Sequence, residues 1–204
     1  MAIAPNPRAY VASQPTFAQL VSLACHDLRT PLATASGFAH TLERLDALAA
    51  PGDRYVQMIG AASGQMAELL DLLGAAARIE TGRFEPRIRE ADSRKLTDAA
   101  AAKLGEEDAV VNGTGAEVQV DPPWVEVALA SLGECIRRHG ALEQVAYAVD
   151  GPAISIGPVK EGVGPIVLGD DLKDFPAAVG IKVLSAMEAS VRIDGELLIV
   201  RLPQ

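Results

Sequence analysis

Two long stretches carry apolar residues at alternating steps of four and three, and this repeat constrains the fold more than any other feature. In the first, Phe17, Val21, Ala24, Leu28, Pro31, Ala35, Phe38, Leu42, Leu45 and Ala49 fall on one stripe of a helix. In the second, Tyr55, Ile59, Ala62, Met66, Leu69, Leu73 and Ala76 do the same. Pro51-Gly52-Asp53 breaks the pattern between them. The expected helices run from an N-cap at Thr16 to about Ala49, and from that break to about Thr81-Gly82. Two helices joined by so few residues form an antiparallel hairpin. One hairpin cannot bury both stripes fully, so pairing of two copies into a four-helix bundle is expected.

His26 lies between Ala24 and Leu28, roughly 200° around the helix from either. Its imidazole is therefore expected at the surface, with Thr30 one turn further along the same face and Asp27 and Arg29 beside them. Pro31 has no N–H for the carbonyl of Asp27, so a kink or loosened turn is expected next to the histidine. A surface histidine beside an aspartate is commonly no more than a solvated pair. A proline inside so periodic a helix is harder to dismiss, because it costs about 3 kcal/mol in a helix interior.

The rest of the 204-residue chain reads differently. Residues 1–15 hold three prolines and little periodicity, which suggests a mobile N-terminal arm. Beyond residue 85, Asp92 opens an Ala-rich helix to about Leu104, and strand-like pieces follow at 109–111, 117–120, 145–149 and 153–156. A helix over 122–139 separates the second strand from the third. A final helix is expected over 179–189, then strands over 190–193 and 197–202. Asp150-Gly151 and Asp194-Gly195 are hairpin-turn signals. This order describes an α+β sandwich over 85–204, one sheet covered by helices. Trp124 is expected to pack between helix and sheet.

With 49% apolar but only 4% aromatic residues, the core must be built from Ala, Leu, Val and Ile. A net charge of −9 without Lys/Arg clusters argues against nucleic acid as a partner. No apolar run approaches the roughly 20 residues of a membrane span, and the first residues do not resemble a signal peptide. A cytoplasmic location is expected. Cys25 and Cys135 are too few for a disulfide framework, and no Cys/His spacing suggests zinc; His40 and His139 read as ordinary polar positions.

The string Ser22-Leu23-Ala24-Cys25-His26-Asp27-Leu28-Arg29-Thr30-Pro31-Leu32 closely resembles the H-box of sensor histidine kinases. Ala77-Arg78-Ile79-Glu80-Thr81-Gly82-Arg83-Phe84 is similar to the usual exit of the second helix in that family. The resemblance implies a dimerisation and phosphoacceptor hairpin over 16–84. It further implies a domain of the family's ATP-binding type over 85–204. His26 would accept a phosphoryl group, Asp27 would orient and polarise its imidazole, and Arg29 and Pro31 would contact a partner. Asp27-Leu28-Arg29-Thr30 fits the acid-x-x-Thr pattern that places water against a phosphoaspartate, which gives Thr30 a phosphatase role.

Against that pattern the second domain departs at the nucleotide site. Ser131 and Cys135 stand where the family has asparagines, and a neutral thiol is a poor Mg²⁺ ligand, although Glu134 offers a carboxylate. The adenine turn corresponds to Lys160-Glu161-Gly162-Val163-Gly164-Pro165. Gly162 and Gly164 remain, but Lys160 replaces the aspartate and has no acceptor for the adenine amino group. Gly180-Ile181-Lys182-Val183 is a shrunken echo of the phosphate lid, and Gly169-Asp170-Asp171 puts acids near the phosphates. Degenerate nucleotide binding is therefore expected, with no cofactor and no metal.

The leading expectation is a histidine phosphotransfer protein of a phosphorelay. It would be a homodimer exchanging phosphate with a response regulator receiver domain, with an upstream sensor kinase as a further candidate partner. The competing readings are an active histidine kinase with an unusual nucleotide site, and a non-catalytic dimeric scaffold that binds a regulator or a kinase.

Overall fold

In the computed structural model, residues 17–44, 52–105 and 107–204 are described. The expected arm at 1–15, the N-cap at Thr16, the segment 45–50 and Pro51 lie outside them. Within the first helix, so do the side chains of Asp27 and Pro31.

Helices α1 (Phe17–Arg44) and α2 (Gly52–Glu80) form the hairpin. α1 stays helical through Pro31, so the missing N–H there does not end the helix. The buried stripe is not the one the periodicity suggests. Cys25 and Ala39 are buried on α1 with Leu32 half-buried between them, and Val56 and Ser63 are buried on α2. This seam repeats every seven residues and uses small side chains, which lets the two helices approach closely. The larger residues of the expected stripes stay exposed in the single chain: Leu28, Phe38, Leu42, Tyr55, Ile59, Met66 and Leu69 are 40–68% accessible. An amphipathic pattern shows which arc of a helix is apolar, but not how that arc is divided between two neighbours.

The C-terminal half of α2 merges with a second core. Leu72 and Ala75 join a cluster containing Leu129, Leu132, Tyr147, Ile154, Ile156 and Leu198. Strand β1 (Arg89–Asp92), which the sequence pattern does not announce, pairs antiparallel with β3 (Glu117–Val120). α3 (Ser93–Leu104) begins where the Asp92 carboxylate accepts from Lys95 N–H, as a capping aspartate does. The five-stranded sheet has the order β2-β4-β5-β7-β6, from β2 (Ala109–Gly115), β4 (Val145–Gly151), β5 (Ala153–Gly157), β7 (Leu197–Arg201) and β6 (Ser190–Asp194). Only β2 and β4 run parallel. Register aligns Val111, Tyr147, Ile156, Leu198 and Ile193 in one inward row. The next row over holds Asn112, Ala148, Ser155, Ile199 and Arg192, so one face is apolar and the other, Ile199 apart, small or polar. Gly151 and Gly195 adopt φ of +57° and +59° at the two expected hairpin turns.

α4 (Pro122–His139) covers the apolar face and spans the expected residues. Its Gly133 lies so close to the sheet that a Cβ would overlap the Tyr147 hydroxyl oxygen. α6 (Phe175–Ala186) starts four residues earlier than expected, because Asp174 caps it by accepting from Ala177 N–H. It packs on α4 where Gly180 meets Ala128. The one-turn helix α5 (Gly164–Val167), likewise absent from the sequence pattern, precedes it. The architecture is an α+β one: a helical hairpin followed by a helix-covered mixed sheet.

Candidate functional site

His26 is exposed on α1, as its angular position requires. Thr30 is exposed one turn on, and its carbonyl accepts the Thr34 hydroxyl at 3.0 Å. Arg29 is held across the hairpin: its Nη2 donates to Oδ1 of Asp71 on α2 at 2.5 Å. Both partners are about half exposed, so the pair orients the guanidinium more than it stabilises the fold. No sequence pattern singles out Asp71, because α2 merely needs polar residues on its outer side.

A groove of about 1060 Å³ opens between α2 and α4, lined among others by Asp71, Leu72, Trp124, Ser131, Glu134 and Arg138. Trp124 is half-buried against the core. It lies edge-on to Phe84, with ring centroids 5.7 Å apart, and forms the groove wall where the hairpin leads into the sheet domain. The linker is fastened there by Arg87 N–H, which donates to Asp121 at 2.7 Å. Lys182 of α6 ties α6 to the end of α2, donating to Glu80 at 2.5 Å and holding that carboxyl below its usual pKa range.

The residues read as a degenerate nucleotide site are not gathered in this groove. Ser131 and Glu134 line it, but Cys135, Lys160, Gly162 and Gly164 do not. Glu134 is engaged by Arg137 through two contacts, at 2.8 and 3.0 Å. Cys135 is buried under α6, and burial followed by the neighbouring Asp174 carboxylate pushes its thiol up to about 12. It therefore carries a proton at neutral pH. Lys160 is exposed, and its carbonyl accepts Val163 N–H in a turn where Gly162 has φ +81°. Gly164 opens α5 and faces Ile193. Asp174, which the sequence does not suggest, is 2% exposed and accepts from Arg138 at 2.5 Å.

An exposed histidine thus stands on the first helix of a hairpin, and a helix-covered mixed sheet follows that hairpin. Residues 18–82 match the family of the His Kinase A (phospho-acceptor) domain. The helical hairpin thus belongs to that domain family. The chain's fold is similar to full-length ShkA solved with AMPPNP, at 17% identity and TM-score 0.65 over 92% of this chain and 46% of that one. It thus spans about half the length of ShkA. The Acinetobacter baumannii histidine kinase AdeS is 16% identical, with TM-score 0.54 over 87% and 97% of the two chains. The cytoplasmic segment of histidine kinase QseC is 8% identical, with TM-score 0.50 over 70% and 94%. No curated protein matches the chain significantly. Among the described residues, no helix is long and apolar enough to cross a membrane.

Proposed function

We propose that this chain is a histidine phosphotransfer protein, with 16–84 as the dimeric phosphoacceptor unit and 85–204 as a nucleotide-domain relative that no longer uses MgATP. The reading rests on one contrast. His26 stands exposed in a phosphoacceptor hairpin, while the α4 face expected to offer a Mg²⁺ ligand offers a buried, protonated Cys135 beneath Asp174. Phosphoryl transfer from ATP needs metal to neutralise developing charge, and a neutral thiol does not hold Mg²⁺.

In the proposed step, a neutral ring nitrogen of His26 attacks the phosphorus of a receiver's phosphoaspartate. The N–P bond forms as the P–O bond to the carboxylate breaks, and the ring's remaining N–H proton leaves to solvent. Asp27 stabilises the imidazolium as it develops. Mg²⁺ comes from the receiver's own acidic pocket, and the reverse reaction passes phosphate onward. Thr30 positions water for phosphatase activity, and Arg29 and Pro31 face the receiver.

The test is exchange of labelled phosphate with purified phosphorylated receivers, run beside incubation with labelled MgATP. Receiver-dependent, acid-labile label on His26, with none from ATP, is the expected result. Label from ATP alone would restore an active kinase, a reading favoured by the fold shared with AMPPNP-bound ShkA. Receiver binding without any label would leave a scaffold.

A further inference from the structure

We infer that Cys135, His139 and Asp174 form a zinc site that staples α4 to the start of α6. The two helix residues are four apart on α4, so their side chains rise from one face a turn apart. Asp174 reaches them from the N-cap of α6. Their ligating atoms, Cys135 Sγ, a ring nitrogen of His139 and a carboxylate oxygen of Asp174, all lie within 4.8 Å of one another.

A second observation makes this more than a chance meeting of polar groups. His139 Nε2 is buried and makes no hydrogen bond, although Asp174 Oδ2 is only 3.4 Å away. If Nε2 carries a hydrogen, a buried donor is wasted, which costs about 1–3 kcal/mol. If it does not, two lone-pair atoms face each other inside the fold. A cation bound to both resolves either case, and the Cys135 sulfur completes a set of three.

The donor set chooses the metal. Sulfur, imidazole nitrogen and one carboxylate oxygen suit Zn²⁺, which is held tetrahedrally by such ligands. Mg²⁺ requires oxygen ligands and an octahedron, and this cluster provides neither. Arg138 is the competitor, since it donates to the same Oδ2 at 2.5 Å. Its side chain is 56% exposed and can release the oxygen to solvent-side partners. On binding, the S–Zn bond forms as the Cys135 S–H proton departs to solvent, so one proton is released per metal. This inference does not depend on phosphotransfer.

The test uses the full chain, stripped with a chelator and titrated with Co²⁺ and then Zn²⁺. Expected are one Co²⁺ per chain, a sulfur-to-cobalt charge-transfer band, its loss when Zn²⁺ displaces Co²⁺, and a higher Tm with Zn²⁺. Cys135→Ser removes the band and Cys25→Ser keeps it. His139→Gln weakens affinity by more than about tenfold, the least effect that losing even a supporting residue has at such sites. Circular dichroism checks that each variant folds, and the partly exposed His139 position keeps the question open to measurement if Cys135→Ser does not. No band in the parent chain, a band that survives Cys135→Ser, or unchanged affinity in His139→Gln would overturn the inference.

Discussion

Arg29 and Asp71 join the two helices of the hairpin, Nη2 to Oδ1 at 2.5 Å, one turn beyond His26 and at the edge of the groove beneath α4. The pair fixes where a positive charge sits relative to His26. Because both side chains are about half exposed, Asp71→Asn is expected to change stability by less than about 1 kcal/mol. Arg29→Ala should raise the receiver concentration at half-maximal exchange while leaving the plateau rate near its parent value. A fall in the plateau alone, measured with a titrated phosphorylated receiver, would mean that Arg29 acts on the chemistry instead.

Phe38, Leu42, Met66 and Leu69 are large apolar side chains that the single chain leaves exposed, with Phe38 at 68% accessibility. Burial of such surface is worth about 25 cal/mol per Å², so a second hairpin placed against it is strongly favoured. Light scattering is expected to give a dimer at micromolar concentration. Leu42→Asp and Leu69→Asp should each shift it toward monomer, since a carboxylate in the seam loses its hydration. A monomeric parent chain would remove the bundle.

How much of this is legible in the sequence follows from the range of each signal. The surface position of His26 needs only helical geometry, and α4 is bounded by Asp121-Pro122 at one end and Gly140 at the other, both local signals. The strand alternation at 145–149 survives because its partners bury the same parity. β1 escapes such a reading because Arg89-Glu90-Ala91-Asp92 has no apolar alternation and exists only through pairing with β3. α5 escapes it because Gly164-Pro165 reads as a turn. Asp71 and Asp174 cannot be found at all from spacing. Each matters through a partner distant in sequence, Arg29 for one and Cys135, Arg138 and His139 for the other.

Gly133 is expected to tolerate no side chain. A Cβ at this position would overlap the Tyr147 oxygen and fall 2.7 Å from Cζ, against a ring that is itself fully buried. Gly133→Ala should therefore destabilise by about 1–3 kcal/mol or more, despite the better helix propensity of alanine. Urea unfolding checks this, and Tyr147→Phe in the same chain should restore part of the loss by removing the hydroxyl.

Tyr147 also sets an alkaline limit. Burial, followed by the nearby Glu134 carboxylate, raises its phenol well above the ordinary value of 10, and its hydroxyl donates to the Leu129 carbonyl at 3.1 Å. In the unfolded chain the phenol ionises near pH 10 while the folded one keeps its proton. The folded state then binds more protons, so stability falls as pH rises above about 10. Tyr147→Phe should cost about 1 kcal/mol at neutral pH through the lost hydrogen bond, yet flatten the decline between about pH 10 and 11. An equal slope in both proteins would show that other groups carry the alkaline loss.

The three residues of the H-box should separate by role. His26→Ala is expected to abolish phosphate exchange in both directions while leaving the fold and the assembly unchanged, since the ring is exposed. Thr30→Ala should spare exchange but slow dephosphorylation of the receiver, because its hydroxyl acts only in placing water. Asp27→Asn should slow exchange by roughly 10²–10⁴-fold at most, the range of a general acid–base contribution, because the amide still orients the ring without offsetting its developing charge. Single-turnover exchange followed by acid lability of the label distinguishes these outcomes. A scaffold predicts that all three variants still bind the receiver and that none, including the parent chain, is ever labelled; undiminished exchange by His26→Ala would remove the carrier role.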